Sequence, residues 1–208
     1  MQTDFAVKPL KKNEVFLLEV TAFTEEVYSA LIKAIRAGTI LSKLGKFEVV
    51  RVEVEDINPW NWGEAVKKFS VKFKTPTFFR PGGGVKGGVF IPMPIPDRML
   101  INLHKVWNRY LGPMEGEEER KEFHMWLQNW GIVISALDIR TVRYKDERDF
   151  KVGFKGWAHF SANPSYLRED FLKKVDALMK LGEYVNVGGL RSKGFGVIEY
   201  RSNGYLRK

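Results

Sequence analysis

The chain has no cysteine. Disulfides, thiolate metal sites and a cysteine nucleophile are therefore excluded. Histidine is scarce as well: His104, His124 and His159 are widely spaced and form no metal-binding box, so no structural metal and no cofactor is expected. No apolar run approaches the roughly 20 residues of a membrane span, and Met1 to Lys12 lacks the apolar stretch of a secretory signal. The expectation is a cytoplasmic protein without a membrane partner. Glutamine is limited to Gln2 and Gln128 in a chain that is 28% charged.

What the chain does have is positive charge and aromatic rings. Its 208 residues carry a formal charge of +9, with 44% hydrophobic and 13% aromatic content, enough for a packed core inside a positive field that favours polyanions. The densest functional signal is Val185 to Val197, where Gly188, Gly189, Gly194 and Gly196 surround Arg191, Ser192 and Lys193. Glycines permit positive φ and close approach, so that N–H groups can converge on an anion beside the two cations. A glycine-rich turn with solvated charges fits the same residues. The nucleotide-binding pattern is not met, because Phe195-Gly196 stands where Lys-Ser/Thr should follow Gly194.

Hydrophobic periodicity outlines the fold. Val15 to Val20 reads as a strand, Thr24 caps a helix ending at Gly38, and Phe47 to Glu55 reads as a strand, giving an opening β-α-β. Phe69, Val71 and Phe73 alternate with Lys68, Ser70, Lys72 and Lys74, so one face is core and the other a cationic strip. Pro81 to Gly88 is a glycine-rich loop. Asp97 is expected to cap a helix bearing Leu100, His104, Trp107 and Leu111, followed by a helix over about 117–128. Strands near 132–144 and 150–161 form a hairpin about the charged turn 145–149, and Asn163-Pro164-Ser165 opens a helix before the last strand, Phe195 to Arg201. From Lys67 the order is β-α-β-β-α-β with one extra helix. The fold expected is α+β: a ferredoxin-like domain over 64–208 preceded by a partial ferredoxin-like β-α-β unit over 1–63.

An open sheet face binds single-stranded RNA when cations track phosphates and rings stack on bases. Lys68, Lys72, Lys74, Lys155 and Trp157 are the candidates. Ordinary surface lysines and a tryptophan packed under a neighbouring domain fit equally. For cleavage without metal, a base, an acid and cations are needed around the phosphorus. His104 and His124 lie on apolar stripes and read as core or interface residues. His159 shares its face with Lys155 and Trp157, and Tyr184 precedes the glycine-rich loop, which makes these two the catalytic candidates.

Four segments in order, Phe73-Lys74-Thr75-Pro76-Thr77-Phe78-Phe79, the proline-rich approach to Leu100 through Trp107-Asn108, Gly153-Phe154-Lys155-Gly156-Trp157, and Gly188 to Gly196, carry a family likeness. Over about residues 44–200 the chain resembles the CRISPR repeat-processing endoribonucleases of the RAMP superfamily. The resemblance implies two ferredoxin-like folds, CRISPR repeat or guide RNA as partner, and metal-independent cleavage leaving a 2′,3′-cyclic phosphate. It carries RNA binding onto Gly188, Gly189, Arg191, Lys193, Gly194 and Gly196. Members commonly place an essential histidine in the N-terminal unit, whereas this chain has none before His104 and only about 66 residues ahead of the second unit. Catalysis by other residues, completion by a homodimer or another CRISPR-associated subunit, and RNA binding without cleavage, as in a guide-RNA effector complex, all remain open.

Overall fold

A computed structural model describes residues 3–4, 14–42, 45–81, 89–145 and 150–202. Most of the glycine-rich segment 81–88 and of the turn 145–149 lies outside the described residues. The chain divides into a small unit, Asn13–Asn58, and a large one formed by Met1–Lys12 with Pro59–Lys208.

In the small unit, helix α1 (Glu25–Arg36) starts where Thr24 Oγ1 accepts the Val27 N–H at 3.4 Å, with Glu25 and Glu26 in its first turn and Lys33 and Arg36 in its last. That distribution complements the helix dipole. Strands β2 (Thr39–Ser42) and β3 (Gly45–Glu48) then pair as an antiparallel hairpin. This differs from the expected β-α-β. Val15 to Val20 carries no strand, and the strand expected over Phe47 to Glu55 stops at Glu48. The physical reason is that β-branched residues favour a strand only against a packed neighbour. Leu17 and Val50 instead stand largely exposed, at 84% and 76%.

The large unit contains β1 (Thr3–Asp4), β4 (Lys68–Thr77), α2 (Pro96–Tyr110), α3 (Glu117–Gln128), β5 (Ile132–Lys145), β6 (Phe150–Ala162), α4 (Glu169–Val185) and β7 (Ile198–Ser202). It is a mixed α/β structure. Its sheet runs β1-β5-β6-β4-β7, with β1 parallel to β5 and the other four strands antiparallel. The expected β5–β6 hairpin is present in register from Ile132↔Ala162 to Lys145↔Phe150. Alternation along β4 and β6 sends Phe69, Val71, Phe73, Phe154, Ala158 and Phe160 to the core, to which α2 adds Leu100, Leu103 and Trp107 and α4 adds Phe171, Val175 and Leu178. Each such large side chain contributes about 2 kcal/mol of hydrophobic stabilisation.

Two helix starts differ from expectation. The N-cap of α2 is Ile95, without a side-chain bond, and Pro96 opens the helix with its preset φ, leaving Asp97 in the first turn. Asn163-Pro164-Ser165 does not open α4. Asn163 Oδ1 accepts the Ser165 N–H at 3.1 Å and closes a separate 3₁₀ turn, Pro164–Tyr166, before the helix begins at Glu169.

Candidate nucleic-acid interface

Residues directly opposite in a ladder share a face. Lys68 pairs with Ser161, Ser70 with His159 and Lys72 with Trp157, while β7 places Arg201 beside Ser70 and Glu199 beside Lys72. On the other flank β5 brings Asp138 to Trp157 and Arg140 to Lys155. The register thus gathers Lys68, Lys72, Lys155 and Trp157 on the face turned away from the core. Lys74 follows by alternation. Lys68, Lys72 and Lys74 are exposed, and Lys155 and Trp157 are half-buried. Glu199 offsets part of this charge: its carboxyl lies 2.7 Å from Arg201 and 3.4 Å from Lys74, and the Arg201 hydrogen bond, followed by Lys74, holds it below the usual carboxylate range.

His159 sits on this face but not in water. It is only 6% exposed; its Nδ1 is hydrogen-bonded to the Ser70 hydroxyl, and its ring centroid lies 4.6 Å from that of Trp157. The expected wet, cationic setting is corrected for this residue, because the Ser70 hydroxyl and the Trp157 ring lie against the imidazole on that face. Tyr184 is 38% exposed at the end of α4 and stacks on Trp62, with centroids 5.6 Å apart and planes 17° from parallel. His159 pairs with Ser70, whereas the glycine-rich loop joins β4 at Thr75 and Pro76. Five residues of strand, about 17 Å, separate those points.

The loop itself is folded inward. Gly188 N–H donates to Asn102 Oδ1 at 3.3 Å, Gly189 N–H to the Phe78 carbonyl at 3.0 Å, and Gly196 N–H to the Pro76 carbonyl at 3.2 Å. Val187 N–H donates to the Gly196 carbonyl at 2.8 Å. A Cβ on Gly188 or Gly189 would overlap Phe78. These glycines therefore serve close packing, and their N–H groups are spent within the protein rather than gathered around an anion. The tip is different. Arg191–Lys193 form a 3₁₀ turn flanked by Leu190 at φ 57° and Gly194 at φ 78°, with Ser192 and Lys193 exposed and Arg191 half-buried. Burial lowers the Arg191 pKa; Tyr110 opposes that shift and Arg109 adds to it.

Sequence reasoning missed a buried polar chain between α2, α3 and α4. His104 Nδ1 lies 2.8 Å from His124 Nε2, His104 Nε2 lies 2.7 Å from Glu115 Oε1, and Lys174 Nζ bridges Glu115 and Glu119 at 2.8 and 2.7 Å. The apolar spacing around His104 and His124 correctly placed both histidines inward. It could not reveal that they meet. Among the described residues no group of three or more His, Cys, Asp or Glu is arranged to hold a metal ion, and no helix is long and apolar enough to cross a membrane.

The model for the CRISPR-associated endoribonuclease Cas6 matches residues 71–198, more than half of the chain, and the chain belongs to that family. No curated protein sequence matches it. Among solved structures, it is similar to Thermus thermophilus Cas6 (TTHB231) with 18% identity and a TM-score of 0.58 over 69% of this chain and 56% of that one. It thus spans little more than half of that relative. A product complex of the same protein gives 18% identity and a TM-score of 0.65 over 85% and 70% of the two chains, and the Cas6 (TTHA0078) product complex gives 23% and 0.64 over 86% and 74%. These likenesses show the fold.

Proposed function

We propose that the protein binds CRISPR repeat RNA across the sheet face bearing Lys68, Lys72, Lys74, Lys155 and Trp157 and at the tip Arg191-Ser192-Lys193, and that it cleaves the RNA without metal. The observation that carries this reading is the register that brings three strand lysines and Trp157 onto one face. Lysines there meet phosphates and the indole offers a stacking surface. In the reaction a base takes the 2′-hydroxyl proton, the 2′-oxygen bonds to phosphorus, the P–O5′ bond breaks, and an acid protonates O5′. The products are a 2′,3′-cyclic phosphate and a 5′-hydroxyl. Of the two catalytic candidates, exposure favours Tyr184 over the buried His159.

The strand order β5-β6-β4-β7 and the element order β4-α2-α3-β5-β6-α4-β7 support a ferredoxin-like arrangement for 64–208; the partial unit assigned to 1–63 holds α1 and the β2–β3 hairpin in place of a β-α-β. A second copy or another CRISPR-associated subunit completes that partial unit, whose helix α1 buries no residue.

Incubation with labelled repeat RNA in EDTA tests the reading. Cleavage at one position supports the enzyme. Tight binding with intact RNA makes the chain a non-catalytic RNA-binding subunit, a second reading that the burial of His159 favours. Absence of binding overturns both.

A further inference from the structure

Helix α2 carries a feature that neither the sheet face nor the loop tip accounts for. At 3.6 residues per turn, Arg98, Asn102, Lys105 and Arg109 fall within an arc of about 60°, a stripe about 16 Å long. The opposite side of the helix is buried through Met99, Leu100, Leu103, Val106 and Trp107. Lys105 and Arg109 are exposed and Arg98 is half-buried, with Asp97 3.6 Å from its guanidinium. Asn102 joins the stripe to the glycine-rich loop by accepting the Gly188 N–H. At the far end, Arg109 lies 5.4 Å from the ring centroid of Tyr110, which is 45% exposed.

A row of cations with an aromatic ring at its end fits a chain of phosphates ending in a base. We propose that the solvent face of α2 is a second phosphodiester track for the RNA, and that Tyr110 is a base-stacking platform at its end. This track lies on the helical side of the domain, away from the lysine-bearing sheet face. It rests on the RNA-binding reading and extends the interface to Arg98, Lys105, Arg109 and Tyr110.

The test measures repeat-RNA affinity of the full chain against salt. The variant Arg98→Ala/Lys105→Ala/Arg109→Ala should flatten the logarithmic salt slope by about 2, since each lost phosphate contact on a single strand accounts for about 0.7. Between 50 and 200 mM salt it should therefore lose roughly 20-fold less affinity than the unmodified chain. Lys33→Ala/Lys121→Ala/Lys173→Ala removes the same charge from exposed positions elsewhere and should keep the original slope. Tyr110→Ala should weaken binding roughly 10-fold with the slope unchanged. Thermal unfolding of each variant confirms that the fold is retained. An α2 variant whose slope equals that of the unmodified chain, or that of the control, overturns the track while leaving the RNA reading intact. An unmodified chain that binds no RNA overturns the RNA reading itself.

Discussion

Val187 donates its N–H to the Gly196 carbonyl, and its own carbonyl oxygen fills the space that a Cβ on Gly196 would need. Gly196 also sits at φ 75°, so both sterics and backbone geometry demand glycine there. Gly194 shares the positive φ, at 78°, but has nothing within 4 Å of its Cβ position. Gly196→Ala should cost about 3 kcal/mol or more, and Gly194→Ala about 1 kcal/mol. Denaturant unfolding of the two variants checks this. Equal losses would mean that the Val187 contact does not set the requirement.

The chain His124–His104–Glu115 makes stability depend on pH. Both imidazoles are held below the usual value of 6.5, first by burial, with Glu115 opposing. Below 6.5 the unfolded chain takes up protons that the folded one resists, so this contribution is complete above 6.5 and is lost as pH falls towards the depressed folded values. Melting temperature measured from pH 8 to pH 5 should fall through that window, and His104→Gln/His124→Gln should flatten it. An unchanged profile in the double variant would assign the pH dependence to other groups.

How much of this was legible depends on what holds each element. The alternation Lys68 to Lys74 and the periodicity of α2 gave the correct faces because a single strand or helix carries its own pattern. Val15 to Val20 misled because β-branched composition records suitability for a strand, not the presence of a neighbour. In the glycine-rich loop, composition could not distinguish N–H groups free for an anion from ones consumed by Phe78, Pro76 and Asn102. The approach of His104 to His124, like that of Asp176 to Tyr200, depends on packing between elements. No local spacing encodes it.

Asp176 is fully buried on α4 and collects three partners. The Tyr200 hydroxyl donates to Oδ1 at 2.6 Å, the Glu64 N–H to Oδ2 at 2.9 Å, and Lys180 Nζ lies 2.8 Å from Oδ2. Burial and the bonded carboxylate push the Tyr200 hydroxyl far above its ordinary pKa, keeping it a donor. Removing the carboxylate strands a buried hydroxyl and leaves the Tyr200 N–H bond to Glu183 Oε1 as the remaining polar tie between β7 and α4. Asp176→Ala should cost roughly 3 kcal/mol, which for a chain of this size lowers the melting temperature by roughly 9 °C. A loss below about 1 kcal/mol would show that water replaces the carboxylate.

Tyr184 and His159 make opposite predictions for the proposed cleavage. Tyr184→Phe keeps the ring that stacks on Trp62 and removes only the hydroxyl, so a hydroxyl that moves a proton in the transition state should show as a fall of about 100-fold or more in single-turnover rate, with RNA affinity unchanged. His159→Ala removes a buried ring and a hydrogen-bond partner of Ser70, so it should lower the melting temperature and leave the rate per folded molecule within a few-fold. The two readouts separate chemistry from folding. A Tyr184→Phe variant that cleaves at the original rate removes Tyr184 from the mechanism. A His159→Ala variant that folds, binds RNA and does not cleave reverses the assignment, and would require the imidazole to leave Ser70 when RNA is bound.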